Sequence, residues 1–512
     1  MSKKDILLEI EEKKKLYGYQ LSDIDLIFDK IENSSVNHHL LYQLPTGGGK
    51  TVIFSEIVRR YLEKYDKKVV VLTHRIELCK QTSKMLKAFD VKNKIINSLV
   101  KDLPDQDDYS CFVAMVETLK NRLNDEKLLI HDVGLLIIDE AHFNSFRKLF
   151  HAFKNSFFLG VTATPLSSNI KLPMKENYQE LLVGHSIDSL IDNGYLAKAT
   201  TYSYDVGLTS LKVGINGDYT VKSSDELYTN MMMQEKLIHA YQYHSQGKKT
   251  LIFNNGIITS LHVLDSFKEA GYKNIRHLDN TNNNEERKEI LKWFKDTPDA
   301  ILTSVGILTT GFDEPTVETI ILNRATKSLT LYFQMIGRGS RKLPNKDKFT
   351  IIDLGNNAAR FGLWTDRIDW QHIFKFPEQY IHNLKGDAEI ELNFTYKMPD
   401  ELRQKFSKTE EITFDIEEAY RLAIRNQERP KVVIDKSIRH HAQMCVDNSE
   451  TLNEAKQLAK ELADDIESRV RHFTTCLANS TKNYRDWLIE DYKVRLLVEI
   501  GKLHREKIFA SE

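Results

Sequence analysis

An α/β architecture of two parallel-sheet halves followed by a helical region is predicted by three features of this 512-residue sequence. Short β-branched and leucine-rich runs alternate with longer helical patterns over roughly the first 365 residues, the rhythm that strand–helix units with parallel sheets require. The runs form two similar sets that meet near residue 195. Beyond about residue 365, apolar residues recur at spacings of three and four, the period of an amphipathic helix.

The first set contains "VVVLT" (69–73), "CFVAM" (111–115), "GLLIID" (134–139) and "FFLGVT" (157–162). The second contains "TLIFNN" (250–255), "AILTSV" (300–305), "TIILN" (319–323) and "FTIIDL" (349–354). Between them, "GLTSLKVGINGDYTVKSSDEL" (207–227) is polar, glycine-bearing and without sustained period, and reads as a connector or short insertion. Further on, Leu458, Leu462, Ile466, Val470, Phe473 and Leu477 predict one amphipathic helix, and residues 483–508 another. These helices either pack on the second α/β half or form a substrate or partner module. The expected partition is an N-terminal helix over 1–15, α/β halves over 16–195 and 196–365, and a mainly helical accessory region over 366–512.

A net charge of −1 supplies no global attraction for nucleic acid, so any polyanion binding must come from a local groove. Cys79, Cys111, Cys445 and Cys476 lack CxxC spacing, which argues against a zinc site or a disulfide framework and suits a reducing, intracellular setting. The N-terminal stretch lacks the apolar core of a signal peptide, and no run approaches the ~18 apolar residues of a membrane span. A soluble, cytoplasmic protein is expected. The paired histidines His38, His39 and His440, His441 lack ligand partners at suitable spacing and are expected on the surface.

Two stretches carry the chemistry. In "LPTGGGKT", the loop of Pro45, Thr46, Gly47, Gly48 and Gly49 would turn backbone N–H groups around a phosphate, with Lys50 reaching the outer phosphates and Thr51 offering a hydroxyl to Mg²⁺. The helix that starts there adds its positive dipole end. Leu44 stands where the strict pattern has its first glycine, and the loop alone can also be read as a plain turn. In "LLIIDEAH", Asp139 and Glu140 end an apolar strand, where Asp139 would orient Mg²⁺ and Glu140 would polarise an attacking water.

With these stretches, the chain over roughly residues 16–362 resembles the superfamily 2 helicases and translocases of the DEAD/DEAH type, whose motifs occur here in the family's order. "LYGYQ" resembles the entry motif, and "VLTHRIELCKQT", "AMVETL", "GVTATP", "LIFNNG", "SVGILTTGFDEP" and "QMIGRGSR" resemble the others. The resemblance implies two tandem RecA-like domains with an ATP cleft between them, and ATP with Mg²⁺ as cofactors. It implies that Gln20 bonds adenine, that Gly311 and Asp313 touch ribose and the hydrolytic site, and that Arg338 and Arg341 stabilise the γ-phosphoryl charge. Gln334 is expected to sense the site and couple to His142, and Thr162 and Thr164 to link hydrolysis to strand movement.

For a nucleic-acid track the matching positions are Thr73, His74, Arg75, Glu117, Thr118, Asn255, Thr303, Ser304 and Thr310, though each alone is more often a cap or a solvated turn. Arg287 is either structural or strand-contacting. Within the superfamily the chain most resembles the RadD, UvsW and XPB branch of DNA helicases, without RadD's cysteine cluster and with a glutamine form of the last motif. That favours an ATP-dependent DNA helicase or translocase of repair, recombination, replication or phage-related processing. The alternatives are an RNA helicase and a nucleotide-gated motor or binding subunit of a restriction or defence assembly.

Overall fold

The computed structural model describes residues 16–98, 100, 106–124, 130–306, 308, 312–392, 394, 396, 398–477 and 482–511. The helix expected over 1–15 lies outside the described residues. The chain divides into two compact units. The first takes in residues up to Ser203, Ser210–Asn230 and Gly247–Lys385; the second takes in Tyr204–Thr209, Met231–Gln246 and the chain from Gly386 onward.

The first unit contains two parallel sheets. β1 (His39–Gln43), β2 (Lys68–Thr73), β3 (Asn93–Ile96), β4 (Cys111–Met115), β5 (Val133–Asp139), β6 (Phe157–Thr162) and β7 (Glu180–Val183) form a seven-stranded sheet in the order β3-β4-β2-β5-β6-β1-β7. β8 (Lys198–Ser203), β9 (Thr250–Asn254), β10 (Ile275–Leu278), β11 (Ile301–Val305), β12 (Thr319–Asn323) and β13 (Lys348–Asp353) form a six-stranded sheet in the order β10-β11-β9-β12-β13-β8. The central strands are near-continuous apolar runs buried on both faces, as parallel sheets covered by helices demand. All eight strands read from periodicity are present to within a residue or two. The edge strands β3, β7, β8 and β10 carry weaker patterns than these.

In parallel sheets the ligand crevice lies outside the carboxyl ends of the strands. The loops after β1, β5 and β6 therefore emerge together on one edge of the first sheet. The stretch 207–227 is more ordered than a plain connector. Val213 and Tyr219 form an antiparallel bridge, and Thr220 caps the helix Val221–Tyr228.

The second unit builds an apolar core of its own from residues such as Phe406, Ile434, Leu462, Ile466, Tyr492 and Ile500. The helix Met231–Ser245 belongs to it, although it precedes β9 in the chain; Lys236 Nζ donates to Glu467 Oε2 at 2.9 Å and to the Asp205 carbonyl at 2.7 Å. The single helix expected through Leu458–Leu477 is instead two, Leu452–Glu461 and Ala463–Thr475. Leu462 leaves helical dihedrals (φ −83°, ψ 10°) while staying buried, and Asp464 and Asp465 then sit in the first turn of the new helix, where its dipole favours them.

His441 is also not on the surface. It is fully buried, with Nε2 2.6 Å from Asp465 Oδ2 and Nδ1 2.9 Å from the Tyr492 hydroxyl. His440 pairs with Arg469 and the Glu411 carbonyl, and His39 packs on Phe158 at 3.9 Å between ring centroids. His39 and His440 are half-buried, and His441 alone of these histidines is fully buried.

Candidate active site

β1 delivers the chain to the glycine loop, and the helix Lys50–Lys64 leaves it. Gly47 and Gly49 adopt φ of +93° and +83°, conformations that side-chain-bearing residues rarely take. Space is tight as well: a Cβ would lie 2.7 Å from Ser340 Oγ at Gly47, 2.8 Å from Leu44 Cγ at Gly48 and 2.5 Å from Gln20 Nε2 at Gly49, so a neighbour would have to shift at each. Leu44, the departure from the strict pattern, is wholly buried beneath Gly48, and its N–H donates to the Thr162 carbonyl at 3.0 Å. The non-glycine position thus belongs to the core, and the cradle is made by the residues after it.

Lys50 Nζ donates to the Leu44 and Pro45 carbonyls at 3.2 and 3.5 Å. Burial lowers its pKa, opposed by the charges of Glu140 and Asp139. The Thr46 hydroxyl is buried without a hydrogen-bond partner, and Thr51 lies in the first turn of the helix. Gln20 Oε1 accepts from the Tyr17 N–H at 3.0 Å, which leaves Nε2 against Gly49. Around it, Tyr17 and Tyr19 pack on Tyr195 at 4.6 and 4.8 Å between centroids, and the Tyr19 hydroxyl donates to the Gly48 carbonyl at 2.7 Å. Sequence signals for this packing are the two tyrosines of "LYGYQ"; Tyr195 comes from far along the chain.

At the tip of β5, Glu140 holds φ +53°, a left-handed conformation that is uncommon without glycine and costs on the order of 1–3 kcal/mol. The Asp139 carboxylate accepts the Glu140 N–H at 3.0 Å. Burial, then the neighbouring charge of Glu140, pushes Asp139 up to about 7. Burial also pushes Glu140 upward, but Lys50, His142, His74 and Arg338 outweigh it and hold this carboxyl below the usual range. Glu140 Oε2 lies 3.4 Å from His142 Nδ1 and accepts no hydrogen bond.

A relay leads away from the acids. His142 Nδ1 lies 3.1 Å from Thr162 Oγ1, which donates to the Thr164 carbonyl at 3.0 Å. The Thr164 hydroxyl in turn donates at 2.8 Å to Thr330, in the helix Leu329–Ile336 that follows β12 of the other sheet. Gln334 does not make the coupling expected of it. It is buried with Nε2 unpartnered, and His142 turns Nδ1 to Thr162 and Glu140 instead.

The six-stranded half contributes the arginines. Arg338 donates to the Phe312 carbonyl at 2.5 Å, and its guanidinium lies in the field of Glu140 and Asp313. Burial lowers its pKa to about 10, so it stays cationic near neutrality. Arg341 donates through Nε to Asp313 Oδ1 at 3.2 Å and through a terminal nitrogen to the Gly47 carbonyl at 3.1 Å. A Cβ on Gly337 would lie 2.5 Å from Thr46, so the arginine turn and the glycine loop are face to face. Gly311 and Thr310 lie outside the described residues.

Among the described residues expected along a nucleic-acid track, three are buried. Thr73, Thr303 and Ser304 are buried, with hydroxyls bonded to Arg75 and Cys79, to Asn254 and Ser260, and to the Ile252 carbonyl respectively. His74 stacks on Phe143 at 4.1 Å, its ring nitrogens buried without hydrogen-bond partners, and burial lowers its pKa to about 4. Arg75 and Thr118 are half-buried and Glu117 is exposed, at strand ends of the first sheet, while Asn255 donates to Ser224 at 2.8 Å. Arg287 pairs with Glu77 at 3.3 Å and so joins the two halves.

These residues fit a nucleoside triphosphate with its Mg²⁺. Only glycine suits the cradle, Lys50 and two arginines converge on it, and the Thr46 hydroxyl and Glu140 Oε2 are buried with no hydrogen-bond partner. Among the described residues no cluster of three or more histidines, cysteines and carboxylates could hold a metal unaided. No helix among them is long and apolar enough to cross a membrane.

Comparison with known proteins agrees with this geometry. The type III restriction enzyme res-subunit family matches residues 13–167, and the helicase conserved C-terminal domain matches residues 232–342. The chain is 32% identical over 360 residues to "Putative ATP-dependent helicase IRC3" of Saccharomyces cerevisiae, covering 66% of this chain and 51% of that protein. It is 20% identical to "ATP-dependent DNA helicase uvsW" of Enterobacteria phage T4, covering 65% of this chain and 68% of that one. The fragment structure titled as a putative HsdR subunit of a type I restriction enzyme from Vibrio vulnificus YJ016 superposes with a TM-score of 0.54 at 21% identity, covering 67% of this chain and 65% of that one, and shows the shared fold. The chain thus spans about half the length of the yeast relative. With both conserved domains in order on its two sheets, the chain resembles the superfamily 2 helicases and, among them, the UvsW type.

Proposed function

We propose that this chain couples MgATP hydrolysis to movement on, or unwinding of, DNA. The observation that carries the reading is the contact of Arg341 with the Gly47 carbonyl, because it brings a cation from one sheet onto the glycine loop of the other. A site assembled from two halves changes with the state of its ligand, and differential contacts of that kind drive hinge motion. When bound, MgATP supplies the phosphoanhydride whose cleavage powers the cycle.

Within the chain, Lys50 and the N–H groups from Gly47 to Thr51 bind phosphate oxygens, and Thr51 and Asp139 hold the metal. Glu140, held ionised with Oε2 unpartnered, accepts a proton from the attacking water at that atom. Arg338 and Arg341 offset the negative charge that develops in transfer. Gln20, with the tyrosines beside it, takes the base. Thr164 and Thr330 pass the change between halves.

DNA is favoured over RNA because of the likeness to a protein named as a DNA helicase and the glutamine form of "QMIGRGSR". The test measures ATP turnover with single-stranded DNA, forked DNA and RNA in parallel, then strand displacement on the best activator. DNA stimulation is expected, and Lys50→Ala should abolish turnover while the fold is kept. RNA-only stimulation would reassign the substrate. Turnover that persists in Lys50→Ala would sink the site. A second reading, a motor subunit of a restriction assembly, is favoured by the res-subunit match; co-purification of a nuclease or methylase subunit would support it.

A further inference from the structure

Behind the arginine turn lies Lys346, a buried lysine with three donors and three acceptors in reach. Its Nζ donates to the carbonyls of Gly339 at 2.7 Å, Arg341 at 2.8 Å and Pro315 at 2.9 Å. An ammonium has three N–H donors, so this set satisfies it completely. A tight turn aims it: the Leu343 and Lys346 backbones exchange both hydrogen bonds at 3.0 Å just before β13.

The neighbouring carbonyls of the turn are likewise occupied by donors. That of Gly337 accepts from the Ser340 hydroxyl at 2.9 Å, and that of Ser340 from the Ala197 N–H at 2.8 Å. Carbonyl oxygens facing the cleft would repel phosphate oxygens. With these carbonyls occupied by donors within the protein, the turn offers the glycine loop a guanidinium, that of Arg341. The Pro315 bond also anchors the segment that carries Phe312 and Asp313, the acceptors of Arg338 and Arg341.

We propose that Lys346 is a positioning residue that pre-sets Arg338 and Arg341 by clamping the arginine turn and the Asp313 segment to one another through three backbone carbonyls. The role rests on the ATP-hydrolysing reading above. Groups held in place by such a clamp need less rearrangement at the moment of transfer.

The test uses Lys346→Met, which keeps the stem and removes all three donors. On the full chain, the kcat for ATP should fall on the order of 10²-fold, the scale of a small misplacement of a charge-stabilising group, with KM changed less than about 3-fold. In an Arg341→Ala background the further loss should shrink at least about tenfold, because groups acting as one unit are not additive. Fully additive losses, or a rise in KM alone, would overturn the assignment.

Lys346→Gln keeps two donors, should give an intermediate kcat loss with the same non-additivity, and serves if the methionine variant does not fold. If the wild-type chain hydrolyses no ATP, the functional reading fails by itself. The clamp is then read by amide hydrogen exchange. Faster exchange confined to residues 312–317 and 337–343 in Lys346→Met upholds it, and unchanged exchange there rejects it.

Discussion

Each unit of the molecule buries a histidine beside a carboxylate, and the two pairs are left in opposite states. In the α/β unit, Glu140 sits at φ +53° with Oε2 unpartnered 3.4 Å from His142, and the Thr46 hydroxyl and both His74 ring nitrogens are also buried without hydrogen-bond partners. In the helical unit, His441 is bonded at both nitrogens, to Asp465 and Tyr492; Tyr492 bonds Ser437 at 2.8 Å, and Arg469 pairs with Asp465 at 2.9 Å. A buried polar atom without a partner costs on the order of 1–3 kcal/mol, so an accumulation of them beside a strained backbone marks a place arranged for something else to bind. A fully satisfied network holds helices in one arrangement.

That contrast can be broken by substitution. Arg338→Ala, which removes a cation from the unsatisfied site, should lower ATP turnover by about 10³-fold or more and leave the melting temperature near wild type. Glu140→Gln should cost roughly 10²- to 10⁴-fold in turnover, again without loss of stability. Steady-state kinetics with parallel thermal melts decide both. A melting temperature that drops with either variant would mean that this site, too, is structural.

Asp465→Ala should do the reverse and destabilise the helical unit by about 3–5 kcal/mol, because it strips a buried Arg469 and His441 of their carboxylate. Denaturant unfolding followed at Trp487, which lies in the C-terminal helix, reads that loss.

The smallest effect is a pH dependence. Burial, then the charge of Arg469, pushes His441 down to about 4, against an ordinary value near 6.5. The unfolded chain therefore binds a proton that the folded one refuses as pH falls between these values. The contribution is fully present above about 6.5 and is lost progressively on acidification toward 4. Asp465, also held below its usual range, adds a loss of the same sign at still lower pH. The His441 ring resonances in an NMR titration should move with a midpoint near 4; a midpoint near 6.5 would show the network to be open to water.

The central strands, Lys50 and the acid pair were legible because they depend on local pattern: apolar runs of strand length, glycines before Lys50, acids at a strand tip; the arginines were legible only through the resemblance to the helicase motifs. What stayed hidden depends on partners distant in sequence. The aromatic packing beside Gln20 needs Tyr195, and the clamp behind the arginines needs Pro315 and Lys346 together. The histidine pair at 440 and 441 looked unpartnered because Asp465 and Tyr492 come from two other helices. The helix break at Leu462 escaped because apolar spacing continues through it while the backbone does not. Thr73, Thr303 and Ser304 matched a motif by type, but a hydroxyl at a buried strand end bonds to the nearest acceptor within its own domain.

By itself, the sequence determined the two-sheet architecture, the glycine cradle with Lys50 and the acid pair at a strand tip, while Arg338 and Arg341 stood out only through the resemblance to the helicase family. Architecture, cradle and acids follow from periodicity and from residue chemistry, which are local. Only the tertiary structure decided that Leu44 is core, that Glu140 is strained with an unpartnered oxygen, that Gln334 does not meet His142, and that Lys346 backs the arginines. Each of those facts is a matter of which groups meet across the fold, and hydrogen-bond satisfaction in a packed interior is settled by three-dimensional neighbours, not by residue type.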